Sequence, residues 1–168
     1  MRPRSLDHFL KEARVPFTPF RHAPAFTAQE EAAVSHVPGR CWAKTVVCFA
    51  DNAPILAVLP AYLMVDFEAL RQLAGAGVIR LASEQEFAGL YPECEPGAMP
   101  PFGDLYLQRV FVDRTLVGEC DMAFNAGTHT DAIRMHYGDF ADLTRPTVGS
   151  FGRFPAAGSA VVAAVSAV

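Results

Sequence analysis

The chain has 168 residues, 51% of them apolar and 19% charged, with a formal net charge of −4. That length fits one domain and falls short of two ordinary ones, and that composition supports a packed core and excludes a disordered chain. The acidic balance excludes a generic nucleic-acid coat, which needs many Lys and Arg side chains on phosphates, but not an enzyme that grips one nucleic-acid end with a few placed cations.

No apolar run approaches the ~20 residues of a bilayer span. Met1–Leu10 carries two arginines with no apolar stretch behind them, so no secretory signal is read. A cytoplasmic protein without a membrane partner is expected. In chain order, Ser5 caps a short helix with Leu6, Phe9 and Leu10 on one face, stopped by Pro16. Phe17–Arg21 is an extended piece. Thr27 and Glu30 form a capping box, which predicts a helix over Ala28–Ser35. The apolar runs Trp42–Ala50 and Ile55–Leu59 flank a turn-rich joint, Asp51 to Pro54, and predict an antiparallel hairpin. Asp66 caps a helix over Phe67–Leu73, closed by Gly75 and Gly77. Val78–Leu81 reads as a short strand, and Ser83 with Glu86 opens a helix to Leu90. Tyr91–Gly103 is irregular, with four prolines and two glycines. Leu105–Val112 and Leu116–Asp121 then read as strands around a turn at Asp113-Arg114, with Met122–Ala126 continuing the second. Thr130–Met135 is another strand and Asp139–Leu143 a last helix before Pro146. From Ala156 to Val168 only Ala, Val, Gly and Ser remain, so residues 1–155 are assigned to the domain and 156–168 to a tail. Short strands mixed with short helices predict an α/β domain of mixed α+β character around one sheet.

Three places could carry chemistry. Of fourteen basic residues twelve are Arg, so Lys44, at the head of the apolar strand Thr45–Phe49, stands out. A strand-end lysine ordinarily snorkels to solvent; a compact ammonium also suits a single phosphate or carboxylate oxygen. The second place is Glu95–Gly103, whose two glycines and three prolines make a rigid loop with accessible main chain around Gly97, Met99 and Pro101. The third is His129, among small polar residues after Gly127, placed to meet a ligand, to exchange a proton or to satisfy a loop carbonyl. His22 is a second-rank candidate, and His8, His36 and His136 read as structural. Cys41, Cys48, Cys94 and Cys120 show neither a C-x-x-C pair nor metal-ligand spacing, so reduced thiols in or near the core are expected. No phosphate-loop, dinucleotide or serine-hydrolase motif is present, and no cofactor or metal is expected.

These segments, in this order from His22 to Pro146, resemble the YbaK-type, prolyl-tRNA synthetase-associated editing domain. His22 through Glu30 resembles the family's first strand-to-helix stretch, and Val37 through Val47 its Lys-bearing strand. Gly97 to Pro101 looks like its G-x-x-x-P loop and Gly127 to His129 like its G-x-H segment. The resemblance implies a compact domain with a central, largely antiparallel sheet, and hydrolysis of the ester on mischarged tRNA. It implies the aminoacylated 3′ end of a tRNA as partner, with an aminoacyl-tRNA synthetase as a second one, and alanyl, cysteinyl, seryl or threonyl esters as substrates. Lys44 would hold the terminal phosphate region. The loop at Gly97 and Pro101 would face the aminoacyl group, Met99 would limit pocket size, and His129, with Gly127 and His22 nearby, would orient the adenosine or ester. Water would be the nucleophile, helped by the neighbouring ribose hydroxyl. Two other readings stay open: a non-catalytic tRNA- or protein-binding module on the same fold, and a Cys- or His-dependent small-molecule hydrolase.

Overall fold

The computed structural model describes residues 5–118 and 121–156. Its elements run α1 (Leu6–Ala13), β1 (Phe17–Arg21), α2 (Ala28–Val34), β2 (Ala43–Ala50), β3 (Ala53–Pro60), β4 (Met64–Val65), α3 (Phe67–Ala74), β5 (Ile79–Leu81) and α4 (Glu84–Leu90). They continue with β6 (Arg109–Asp113), β7 (Asp121–Asn125), β8 (Asp131–His136), α5 (Tyr137–Thr144), β9 (Thr147–Gly149) and β10 (Gly152–Arg153).

The expected hairpin forms the middle of the structure. β2 and β3 pair antiparallel in full register from Ala43↔Pro60 to Ala50↔Ala53, and Asp51 takes positive φ (54°) in the tight turn. Both faces of this hairpin are apolar, so it is covered on both sides. Ala43, Val47, Leu56 and Val58 point into the main core, and Val46, Cys48, Ile55, Ala57 and Leu59 into a second one. β5 adds to β2 antiparallel, while β6 and then β9 add to β3 in parallel, giving a mixed five-stranded sheet ordered β5-β2-β3-β6-β9. On the main-core side lie α1, α4, α5 and a three-stranded antiparallel sheet, β1-β8-β7. On the other side lie α3 and the small pair β4–β10. A backbone bridge from Trp42 to Ala123 ties the two larger sheets together, and α2 packs Ala28 and Ala32 over that junction. Among the described residues no helix is long and apolar enough to cross a membrane.

The helix caps follow the sequence. Ser5, Thr27, Asp66 and Ser83 each accept a main-chain N–H with the side chain, and Ser83 with Glu86 completes a reciprocal box. Two strand expectations need correction. The strand read from Leu105 begins only at Arg109, because Gly103–Leu105 is a 3-10 turn. The chain folds back there so tightly that a Cβ on Gly103 would lie 2.1 Å from the Gln108 carbonyl oxygen. The second expected strand does not turn back onto β6. Both edges of β6 are taken by β3 and β9, so β7 begins at Asp121 and pairs with β8 in the other sheet. The expected tail from 157 onward and Cys120 lie outside the described residues.

Asp113 ends β6 and gathers the chain that follows it and the start of β10. Its carboxylate accepts the Thr115 hydroxyl and N–H (3.0 Å), the Phe151 N–H (2.9 Å) and the Gly152 N–H (2.6 Å). Burial pushes this carboxyl up, but the Thr115, Gly152 and Phe151 donors outweigh burial and hold it below the usual range. A depressed folded-state pKa means the contribution to stability is present above the unfolded value near 4 and is lost as pH falls through the folded one. Asp113→Ala should lower stability by about 2–4 kcal/mol, since it strands buried donors. The measurement is the urea midpoint, at unchanged slope, with a shallower loss of stability below about pH 4 than in the wild type.

Candidate functional site

Helix α2 carries an acid on its inward stripe. Ala28, Glu31 and Ala32 all face the protein, and Glu31 is only 3% exposed. A carboxylate so placed requires donors, and it has two: Asn125 Nδ2 at 2.8 Å, from the end of β7, and His129 Nδ1 at 2.8 Å. The other ring nitrogen of His129 lies 2.6 Å from the Pro96 carbonyl oxygen. With acceptors at both nitrogens, the imidazole must donate twice, which only the protonated ring can do. Its proton affinity is raised accordingly, first by the hydrogen bond to Glu31, against burial and with help from Pro96.

His129 therefore clamps the irregular loop onto the β7–β8 connection. The same two segments are joined by Glu95 N–H to Gly127 O (2.8 Å), Gly127 N–H to Ala98 O (2.9 Å) and His129 N–H to a Glu95 carboxylate oxygen (2.7 Å). Gly97 (φ 83°) and Gly127 (φ 104°) take backbone conformations that side chains rarely adopt, so the seam depends on glycine at both. His22 extends the network, with Nε2 3.3 Å from Asn125 Oδ1 and its ring edge-on to Trp42.

Lys44 sits beyond the N-terminus of α2, at the open end of the second core and paired with Leu59. It lines a cleft with Thr27, Ala28 and Gln29 on one side and Ala61 to Met64 and Pro155 on the other. The enclosed part is about 30 Å³, room for a water or two, so a larger partner meets Lys44 at the mouth. Among the described residues no carboxylate lies within ion-pair distance of its amine, and burial lowers the proton affinity from 10.5 to about 8.

Helix α2 thus stands between two features, presenting Thr27–Gln29 to Lys44 and Glu31 to His129. The structure gathers His22, Gly97, Gly127 and His129 into one network and places Lys44 in the adjoining cleft. It does not bring Met99 there. Met99 is 2% exposed and packs in the main core with Phe102, so it supports the loop from beneath and does not face open space. Pro101 is likewise buried. Of the three roles open to His129, satisfying a loop carbonyl is the one seen here, and a direct contact with substrate is not, because both nitrogens are engaged within the protein. Glu31 and Asn125 escaped the sequence reading. The available signal was an acid at the helical spacing of Ala28 and Ala32, overshadowed by the adjacent Glu30 of the cap. Two of the thiols are poor nucleophiles: burial pushes Cys94 up to about 11 and Cys48 up to about 12, which keeps both protonated. Among the described residues no group of three or more His, Cys, Asp or Glu side chains could hold a metal.

Residues 22–143 match the aminoacyl-tRNA editing domain, which spans the whole of this network, and the chain belongs to that family. Solved structures share the fold. The protein APE2540 superposes with a TM-score of 0.80 at 19% identity, over 89% of this chain and 100% of that one. A candidate trans-editing enzyme for prolyl tRNA synthetase does so with 0.75 at 20% identity, over 88% and 94%. A candidate signal transduction protein from Marinobacter aquaeolei VT8 gives 0.68 at 18% identity, over 95% of this chain and 33% of that one. No curated protein matches the chain.

The Glu31–His129 pair makes stability depend on pH in a stated direction. A histidine with raised folded-state pKa contributes fully below the unfolded value near 6.5, and the contribution is lost as pH rises through the folded value. The urea midpoint of the wild type should therefore fall, relative to that of His129→Gln, as pH is raised from about 6 to 9. Glu31→Ala, which leaves an imidazolium and an amide buried without their acceptor, should destabilise by about 3–5 kcal/mol.

Proposed function

We propose that this chain is a trans-editing deacylase that hydrolyses the ester of tRNA mischarged with a small amino acid, in the class of alanine, cysteine, serine or threonine. The observation that carries the reading is Lys44, a desolvated amine at the mouth of an apolar cleft in a member of the editing-domain family. Desolvating a cation is unfavourable unless an anion completes it, and the 3′ end of a tRNA brings its phosphates. The clamped loop supplies the second element. Its main chain at Gly97, held by His129 through the Pro96 carbonyl, is the surface against which an aminoacyl group would be sized. Water attacks the ester carbonyl, with the neighbouring ribose hydroxyl assisting, and the protein contributes positioning. Discrimination by size follows from the weakness of apolar pockets in telling apart side chains that differ by one methylene. The aminoacylated tRNA is the primary partner, and a synthetase is a second one in the same pathway of charging and correction.

The direct test is a deacylation panel, with tRNAs charged with each small amino acid and the release rates compared. Release from at least one mischarged tRNA is expected; binding without release from any of them would return the non-catalytic reading. Lys44→Ala should lower kcat/KM by about 10- to 100-fold, the worth of one charge-assisted contact. Lys44→Met should at the same time raise stability by about 1–3 kcal/mol, because it removes a charge that burial disfavours. Above about pH 8 the amine of the free enzyme loses its proton, so kcat/KM, corrected for alkaline hydrolysis of the ester, should decline. In Lys44→Arg that decline should be absent, although the planar fork restores only part of the rate. Gly97→Val should slow release sharply, since a β-branched residue resists φ of 83°.

A further inference from the structure

Two aromatic side chains border the Lys44 cleft, Tyr62, which packs against the edge of the second core, and Phe154, which core packing does not explain. Tyr62 lines the cleft itself, half-buried, in the turn after β3. Phe154, next to the cleft residue Pro155, is 74% exposed and rests against Tyr62 with ring centroids 5.8 Å apart and planes inclined by 37°. An exposed phenylalanine gains little by burial where it stands, yet here it leans on a second ring and continues its surface outward. The hydrogen bonds from Phe151 and Gly152 to Asp113, and the pairing of Gly152 and Arg153 with Val65 and Met64, fix this segment from behind. The result is an aromatic shelf of two tilted rings beside a cation that has no carboxylate within ion-pair distance among the described residues.

That combination has one well-matched occupant. Every nucleobase offers a π-face that stacks on aromatic rings whatever its identity, and the phosphate joined to it supplies the anion. We propose that Tyr62 and Phe154 form the stacking shelf for the unpaired base at the 3′ end of the RNA, so placed that the adjoining phosphate meets Lys44. The proposal rests on the deacylase reading for the choice of RNA end as occupant, and adds the residues that hold it. Stacking there is sequence-tolerant, so one shelf serves any tRNA, and discrimination is left to the aminoacyl side. Phe154 is a positioning residue: it anchors the end whose ester reacts elsewhere.

The test uses an uncharged RNA minihelix ending in CCA, with 2-aminopurine replacing the terminal adenine, titrated with the full chain. Stacking on an aromatic ring quenches this base, and wild type should quench it on binding. Phe154→Ala should lose most of the quench and weaken binding about tenfold, with an unchanged melting temperature because the side chain is exposed. Phe154→Trp should restore both. Lys44→Ala should weaken binding but leave the quench at saturation. Leu107→Ala alters a side chain at least as exposed, in a groove with Arg109 at the opposite end of β3, and should change neither. With mischarged tRNA, Phe154→Ala should raise KM and spare kcat. Equal quenching and affinity in wild type and Phe154→Ala would overturn the shelf, as would failure of wild type to quench at all. Quenching that depends on Phe154, in a protein that releases no amino acid, would uphold the shelf and remove the deacylase reading.

Discussion

A single buried carboxylate holds the site region together. Glu31 arrives on a seven-residue helix that could not persist alone, and it is the contact by which that helix is keyed to the β7–β8 connection. Because its partner is a histidine whose far nitrogen also donates, the bond is transmitted through the ring to the Pro96 carbonyl. One chain of contacts thus spans a helix, two strand ends and a proline-rich loop. Replacing any member leaves the others buried without partners, so the network is expected to behave as a unit and not as a sum of pairs.

The cleft side is built by a different device. There the main chain is gathered by Asp113, which draws the residues after β9 back toward the end of β6 and so brings Phe154 and Pro155 beside Tyr62. Two acidic side chains, Glu31 on α2 and Asp113 at the end of β6, therefore hold the two halves of the site region in place. Asp113 gathers main-chain N–H groups directly and Glu31 acts through two side chains, and among the described residues neither acid forms an ion pair with Lys44.

Much of this architecture was legible in the sequence because it rests on local rules. Caps at Ser5, Thr27, Asp66 and Ser83 announced their helices, and the apolar run through Ala43–Ala50 announced its strand. What stayed hidden was long-range. β9 and β10 have three and two residues, too short for a periodic signal. They exist only through partners distant in the chain, Phe111 to Asp113 for β9 and Met64 and Val65 for β10. The course after Asp113 was misread because a turn-like dipeptide does not reveal that both edges of the preceding strand are occupied. In the site, residue types found Lys44, Gly97 and His129, and the resemblance grouped them. Burial alone could show that His129 faces inward, that Met99 is core, and that Glu31 matters at all.

Lys44 also governs the amine chemistry of the chain. There are two lysines, and Lys11 is the open one, on α1 and paired with Asp7 at 2.7 Å. Electrophiles react with a free amine and not with an ammonium, so proton affinity matters to reactivity as well as accessibility. At neutral pH an amine whose proton affinity has dropped to about 8 presents a far larger free fraction than one at lysine's ordinary 10.5. A lowered proton affinity therefore makes the recessed Lys44 more open to cyanate or a small acylating reagent than its burial alone suggests. An aminoacyl ester is itself such an electrophile, and a phosphate that keeps Lys44 protonated would also protect the protein from being acylated by what it binds.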